Sequence, residues 1–99
     1  MNQMQQMIMQ AQRMERELKK ANAALAEKEF KVSKNGMVEL TMLGSREVKE
    51  LSIDKDALDP ENAEMLQETI VLALNEALEA IQKESDEIQE RITGQTRMF

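Results

Sequence analysis

Four cations near the amino terminus, Arg13, Arg16, Lys19 and Lys20, stand at spacings that a helix gathers onto its outward side. Arranged in that way they can pair with successive phosphates of a polyanion, contacts that position a duplex without reading its bases. Gln6 and Gln10 extend this polar surface toward the start of the chain. The plainer reading is a solvated helix face whose Glu15–Lys19 and Arg16–Lys20 spacings only support the helix.

Two further groups of residues invite a chemical reading. Glu84, Asp86, Glu87 and Glu90 form a dense acidic patch. A divalent cation needs converging oxygens, and carboxylates scattered round a helix do not converge, so the patch reads as a solvated face that repels a polyanion or attracts a basic partner. Met1, Met4, Met7 and Met9 open the chain and Met98 nearly closes it, and flexible thioethers suit adaptable apolar contacts. If both ends met at one tip, the chain could act instead as a coiled-coil adaptor or a holdase-like protein that grips other polypeptides.

The rest of the catalytic repertoire is thin. The 99 residues include no cysteine and no histidine, which removes thiolate chemistry, disulfides and the commonest general base and metal ligand. Phe30 and Phe99 are the only aromatics. The Ser, Lys, Asp and Glu that remain form no recognisable constellation, so no enzyme, no metal and no cofactor is expected.

The formal charge is −6, unevenly spread. Residues 1 to 26 carry the four cations against Glu15 and Glu17, whereas residues 57 to 99 carry ten acids against Lys83, Arg91 and Arg97. Such a chain repels nucleic acid at long range, so any contact with it must come from a local basic stripe. No apolar run is long enough for a membrane span and the amino terminus has no signal pattern, which predicts a cytoplasmic protein without a membrane partner.

These residues need elements to position them. Met4, Ala11, Leu18 and Leu25 lie seven apart, with Met7, Met14 and Ala21 between, which predicts a helix over 2–26 with a two-stranded seam. Three candidate strands follow at 28–33, 37–43 and 47–54. A three-residue loop from Lys34 to Gly36 sets Val32 against Val38 and Phe30 against Leu40. Val48 is out of step with Leu51 and Ile53, so the third strand either bulges near Lys49–Glu50 or starts outside the core.

The hydrophobic period then switches at Leu58-Asp59-Pro60, where Asp59 can cap, Pro60 suits a first helical position and Glu61 complements the helix dipole. A second helix is predicted over 60–92, ending at Thr93–Gly94 in a left-handed cap. Its first half, from Ile70 to Leu78, is apolar nearly all round, more than one sheet face can cover, which calls for another subunit. Its second half narrows to Ile81, Ile88 and Ile92, a seam suited to the first helix. Helices of about 37 Å and about 50 Å outreach a compact domain of this size, so parts of both must project as an antiparallel arm.

The segment Gly36-Met37-Val38, Gly44, Glu47-Val48-Lys49, Leu51, Ile53-Asp54, Leu58-Asp59-Pro60-Glu61, Glu64-Met65-Leu66 and Ile70-Val71-Leu72-Ala73-Leu74-Asn75-Glu76-Ala77 resembles the YbaB/EbfC family. Met9-Gln10-Ala11-Gln12-Arg13-Met14 is similar to the same family's opening helix. The resemblance covers nearly the whole chain. It departs in the tail, reduced to Gly94-Gln95-Thr96-Arg97-Met98-Phe99, and before the second strand, where only Gly36 stands.

The resemblance implies one α+β domain over 1–99, forming an intertwined homodimer with projecting, tweezer-like helical arms. It implies a bacterial nucleoid-associated protein that binds duplex DNA with little sequence preference and alters its conformation. Arg13, Arg16, Lys19 and Lys20 are the expected phosphate contacts, and the binding is expected to be weak and salt-sensitive.

Overall fold

A helix that begins almost at the chain terminus needs its first amide groups satisfied, and Asn2 does this in the computed structural model, which describes residues 2–94. The Asn2 carboxamide oxygen accepts the Gln5 backbone N–H at 2.8 Å and the Gln5 side chain accepts the Asn2 N–H at 3.2 Å, a reciprocal capping box. From this cap α1 runs over Gln3–Glu27. It hands over to an antiparallel sheet of β1 (Glu29–Lys34), β2 (Val38–Leu43) and β3 (Val48–Ile53), in that spatial order. Short 3-10 turns over Lys55–Leu58 and Pro60–Asn62 lead into α2, Ala63–Thr93.

The α+β element order is therefore as expected, and the differences are local. The first hairpin is joined by three residues, but they are Asn35 to Met37, and the register pairs Lys34 with Val38, Val32 with Leu40 and Phe30 with Met42. The expected pairing was two positions off and kept the same faces, because side-chain direction repeats every second residue. Asn35 (φ 54°) and Gly36 (φ 65°) both take the left-handed conformation, and the Met37 N–H donates to the Lys34 carbonyl at 2.9 Å. The Asn-Gly pair sets this turn, and Met37 is the extra residue. In β3 the bulge is real: Thr41 pairs with Glu50 and Met42 with Val48, leaving Lys49 unopposed.

Two helix boundaries need correction. Asp59 does cap, accepting the Glu61 N–H at 3.0 Å, but the turn it caps is the 3-10 turn Pro60–Asn62, and α2 begins at Ala63 rather than Pro60. Asn62 makes no side-chain cap to α2, and its amide nitrogen donates instead to the Asp56 carbonyl at 3.2 Å. At the far end Gly94 is right-handed (φ −63°, ψ −27°) and its N–H donates to the Glu90 carbonyl, so the helical hydrogen bonding runs on into Gly94 without the predicted left-handed cap.

The core is one layer thick. Val38, Leu40 and Met42 of β2 pack on Ala73, Ala77 and Ile81 of α2, all buried, with Phe30, Val32, Leu66, Ile70, Leu74 and Leu78 around them. Two alanines on the contact face let the helix axis lie close to the sheet. Thr69 is the one buried polar side chain among the described residues, and it donates to the Met65 carbonyl at 2.7 Å while accepting from the Asn35 amide at 3.2 Å.

Beyond the sheet α2 runs antiparallel to α1, with Ala21, Ala24 and Leu25 beside Ile88 and Arg91. The molecule extends 71 Å along its longest axis, and its radius of gyration is 19.8 Å. A compact chain of this length would have a radius of about 13 Å. The helices form a projecting arm, as their lengths required.

Candidate nucleic-acid interface

The arm joins the sheet at the β2–β3 loop. Gly44 is buried against the end of α1: a Cβ built on it would lie 1.8 Å from the Leu25 carbonyl oxygen, so only glycine permits the approach. The Gly44 N–H donates to the Lys28 carbonyl at 2.8 Å and the Ser45 N–H to the Ala26 carbonyl at 3.1 Å, which ties this loop to orphan carbonyls at the C-terminal end of the helix.

Viewed along α2, the arm has two unlike flanks. On the β1 side Lys34 pairs with Glu76 and Lys28 with Glu84, and Glu84 and Glu87 line a groove with Ala24 and Lys28. On the β3 side Arg46, exposed, donates through Nη2 to the Gln82 side-chain oxygen at 2.7 Å. A helix turns about 100° per residue, which carries Ser85 and Gln89 round to the Gln82 flank and leaves the β1 flank with the acids.

The same step orients α1. With Leu18, Ala21 and Leu25 turned to α2, Gln12 and Lys19 fall on the β3 flank, Arg16 stands on the crest facing away from α2, and Arg13 and Lys20 lie past the crest on the side of Ala24. All four predicted cations are exposed, and none is in an ion pair among the described residues. The fold thus divides the stripe, Lys19 to the β3 flank, Arg16 to the crest, and Arg13 with Lys20 beyond it. An open concavity of about 710 Å³ runs along the outer face of α2 and is lined by Glu79, Asp86, Glu87 and Glu90 with Gln82, Lys83 and Arg91. Its net negative lining disfavours a phosphate backbone.

Sequence spacing did not single out Arg46 and Gln82, which lie 36 positions apart and meet only because the β2–β3 loop folds onto the arm. Among the described residues no group of acids converges to hold a metal, and no helix is long and apolar enough to cross a membrane.

Large side chains on the β3 side stay uncovered by the chain itself. Val48 is 50% exposed, Leu51 43% and Val71 55%, beside half-buried Leu74 and Leu78. The tip of α1 is also apolar, with Met4 70% and Met7 64% exposed. The partner methionines Met1 and Met98, like residues 95–99 of the tail, lie outside the described residues.

The chain is similar over most of its length to known proteins. A nucleoid-associated protein of Enterococcus faecalis (strain ATCC 700802 / V583) is 44% identical over 87 residues, covering 87% of this chain and 84% of its own. Another from Metamycoplasma arthritidis (strain 158L3-1) is 35% identical over 89 residues, covering 90% and 93%. A third from Mycoplasmopsis pulmonis (strain UAB CTIP) is 36% identical over 87 residues, covering 88% and 86%. The profile of one family matches residues 1–96, and by that match the chain belongs to the YbaB/EbfC DNA-binding family.

Proposed function

We propose that the chain acts as a homodimer that binds duplex DNA with little sequence preference and alters its path, as a component of the bacterial nucleoid. The observation that carries this reading is the shared side of two features: the flank bearing Gln12 and Lys19, with Arg16 on the crest beside it, continues the side on which Val48, Leu51 and Val71 lie uncovered. A second copy covering that apolar face sets the two cationic flanks opposite each other across a notch. The acidic flanks then face outward. Arg16 on the crest, with Arg13 and Lys20 past it, adds phosphate contacts, and no cofactor takes part.

Contacts of this kind hold the backbone and release counterions, so the affinity is about micromolar or weaker at physiological salt and falls steeply as salt rises. Fluorescence anisotropy with random-sequence duplex at about 50 and about 200 mM salt measures this directly, with at least a tenfold loss expected over the interval. Arg13→Glu with Lys20→Glu should abolish binding and leave the dimer intact. Undiminished binding by that double variant would show that the proposed stripe on α1 is wrong.

A second reading has one observation in its favour, the exposed Met4, Met7, Ile8 and Met9 at the tip of α1. An adaptor or holdase would use them to hold apolar segments of other polypeptides. Replacing Met4 and Met7 with serine separates the two readings, since DNA binding should survive the change and polypeptide capture should not.

A further inference from the structure

We infer that Arg46 is a second DNA phosphate contact, placed at the root of the arm and oriented by Gln82. This rests on the reading that the arms grip duplex DNA on their β3 flanks. It adds a site on the sheet to the one on α1, and in a dimer it puts one guanidinium from each subunit on the floor of the notch.

The pairing chemistry distinguishes Arg46 from the cations around it. Lys28, Lys34 and Lys49 each meet a carboxylate, Glu84, Glu76 and Glu29 respectively. Arg46 meets an amide oxygen instead, at 2.7 Å. An amide orients a guanidinium without cancelling its charge, and four of its five N–H donors remain for a phosphate. Gln82 is itself held, because its amide nitrogen donates to Asp86 Oδ1 at 2.9 Å, which fixes the oxygen toward Arg46.

The backbone beneath is equally fixed. The Arg46 N–H donates to the Leu43 carbonyl at 2.8 Å, and the Leu43 N–H donates to the Glu47 carbonyl at 2.8 Å. Arg46 takes φ 74°, a left-handed conformation that suits glycine, yet a long cation occupies it. Glycine would serve the turn better, so the turn alone does not call for arginine. Arg46 points onto Gln82 of the arm, on the flank that α1 continues with Gln12 and Lys19.

The left-handed backbone also supplies a clean test, because Arg46→Gly removes the guanidinium and relieves the strain. Salt-series anisotropy of the full-length protein on random-sequence duplex should show binding weakened about five- to tenfold. The slope of log K against log salt should fall by about two, one phosphate per subunit. Gln82→Glu leaves Arg46 in place but neutralises it, and should weaken binding in the same direction. Sedimentation should give an unchanged dimer for both variants. If Arg46→Gly binds like the parent while Arg13→Glu with Lys20→Glu does not, DNA binding stands and the Arg46 contact is refuted. Salt-insensitive or absent binding by the parent protein refutes both, and loss of the dimer in Arg46→Gly makes Arg46 an interface residue and refutes the contact alone.

Discussion

Glu29 shows what single side chains contribute on the outer face of the sheet. Lys49, swung out by the bulge in β3, reaches across to Glu29 at 3.0 Å. The hydrogen bond and charge of Lys49 hold the Glu29 carboxyl below the ordinary carboxylate range, with Lys31 adding a smaller pull and desolvation opposing it. A depressed folded-state pKa stabilises the protein above the unfolded value, and that contribution disappears as pH falls through the depressed one. The pair is exposed, so its share of total stability is small. Lys49→Ala should return the Glu29 titration to the ordinary range, as read by carboxyl NMR. At this scale the sequence was informative about residue type and blind to partners: the four cations of α1 were visible from their spacing, whereas the Arg46–Gln82 contact depends on a loop folding onto a helix far away in the chain.

The element scale depends most on one close approach. Gly44 sits where the β2–β3 loop meets the end of α1, and a methyl group there would collide with backbone, not with the movable tip of a side chain. Gly44→Ala should therefore cost about 3 kcal/mol, the upper end for overpacking, because either the loop or the helix must shift. Thermal denaturation should show Tm lowered by on the order of 10–20 °C. Elements were the most legible level, since alternation in β2 and the seven-residue spacing of α1 each admit one secondary structure. Boundaries were less so. The start of α2 was read at Pro60 because an Asp-Pro-Glu cap looks the same before a 3-10 turn as before an α-helix. The hairpin register slipped because two three-residue loops one position apart give the same faces.

At the scale of the whole molecule, the uncovered apolar residues of β3 and α2 are the face that the proposed homodimer buries. Leu51→Glu places a carboxylate where Val48, Leu51 and Val71 are exposed, 43% at Leu51 itself. Little of the subunit core is disturbed, so the change should leave the helix content intact while shifting the protein to monomer in sedimentation at micromolar concentration. DNA affinity should fall with it, because a notch needs two arms. Composition alone argued against nucleic acid, with a net charge of −6, and only the folded arm shows how the charge is partitioned. Arg46, Gln82, Ser85, Gln89 and Lys19 share the β3 flank, while Glu76, Glu84 and Glu87 stand on the β1 flank. In the proposed dimer that partition makes the molecule one-sided toward polyanions. A second duplex approaching the outer surface meets Glu84 and Glu87 in the β1-side groove and Glu79, Asp86 and Glu90 along the back of the arm, and is turned away. On that proposal the dimer decorates and shapes the strand it holds without crosslinking it to a neighbour, so coverage can rise along one chromosome segment without gluing separate segments together.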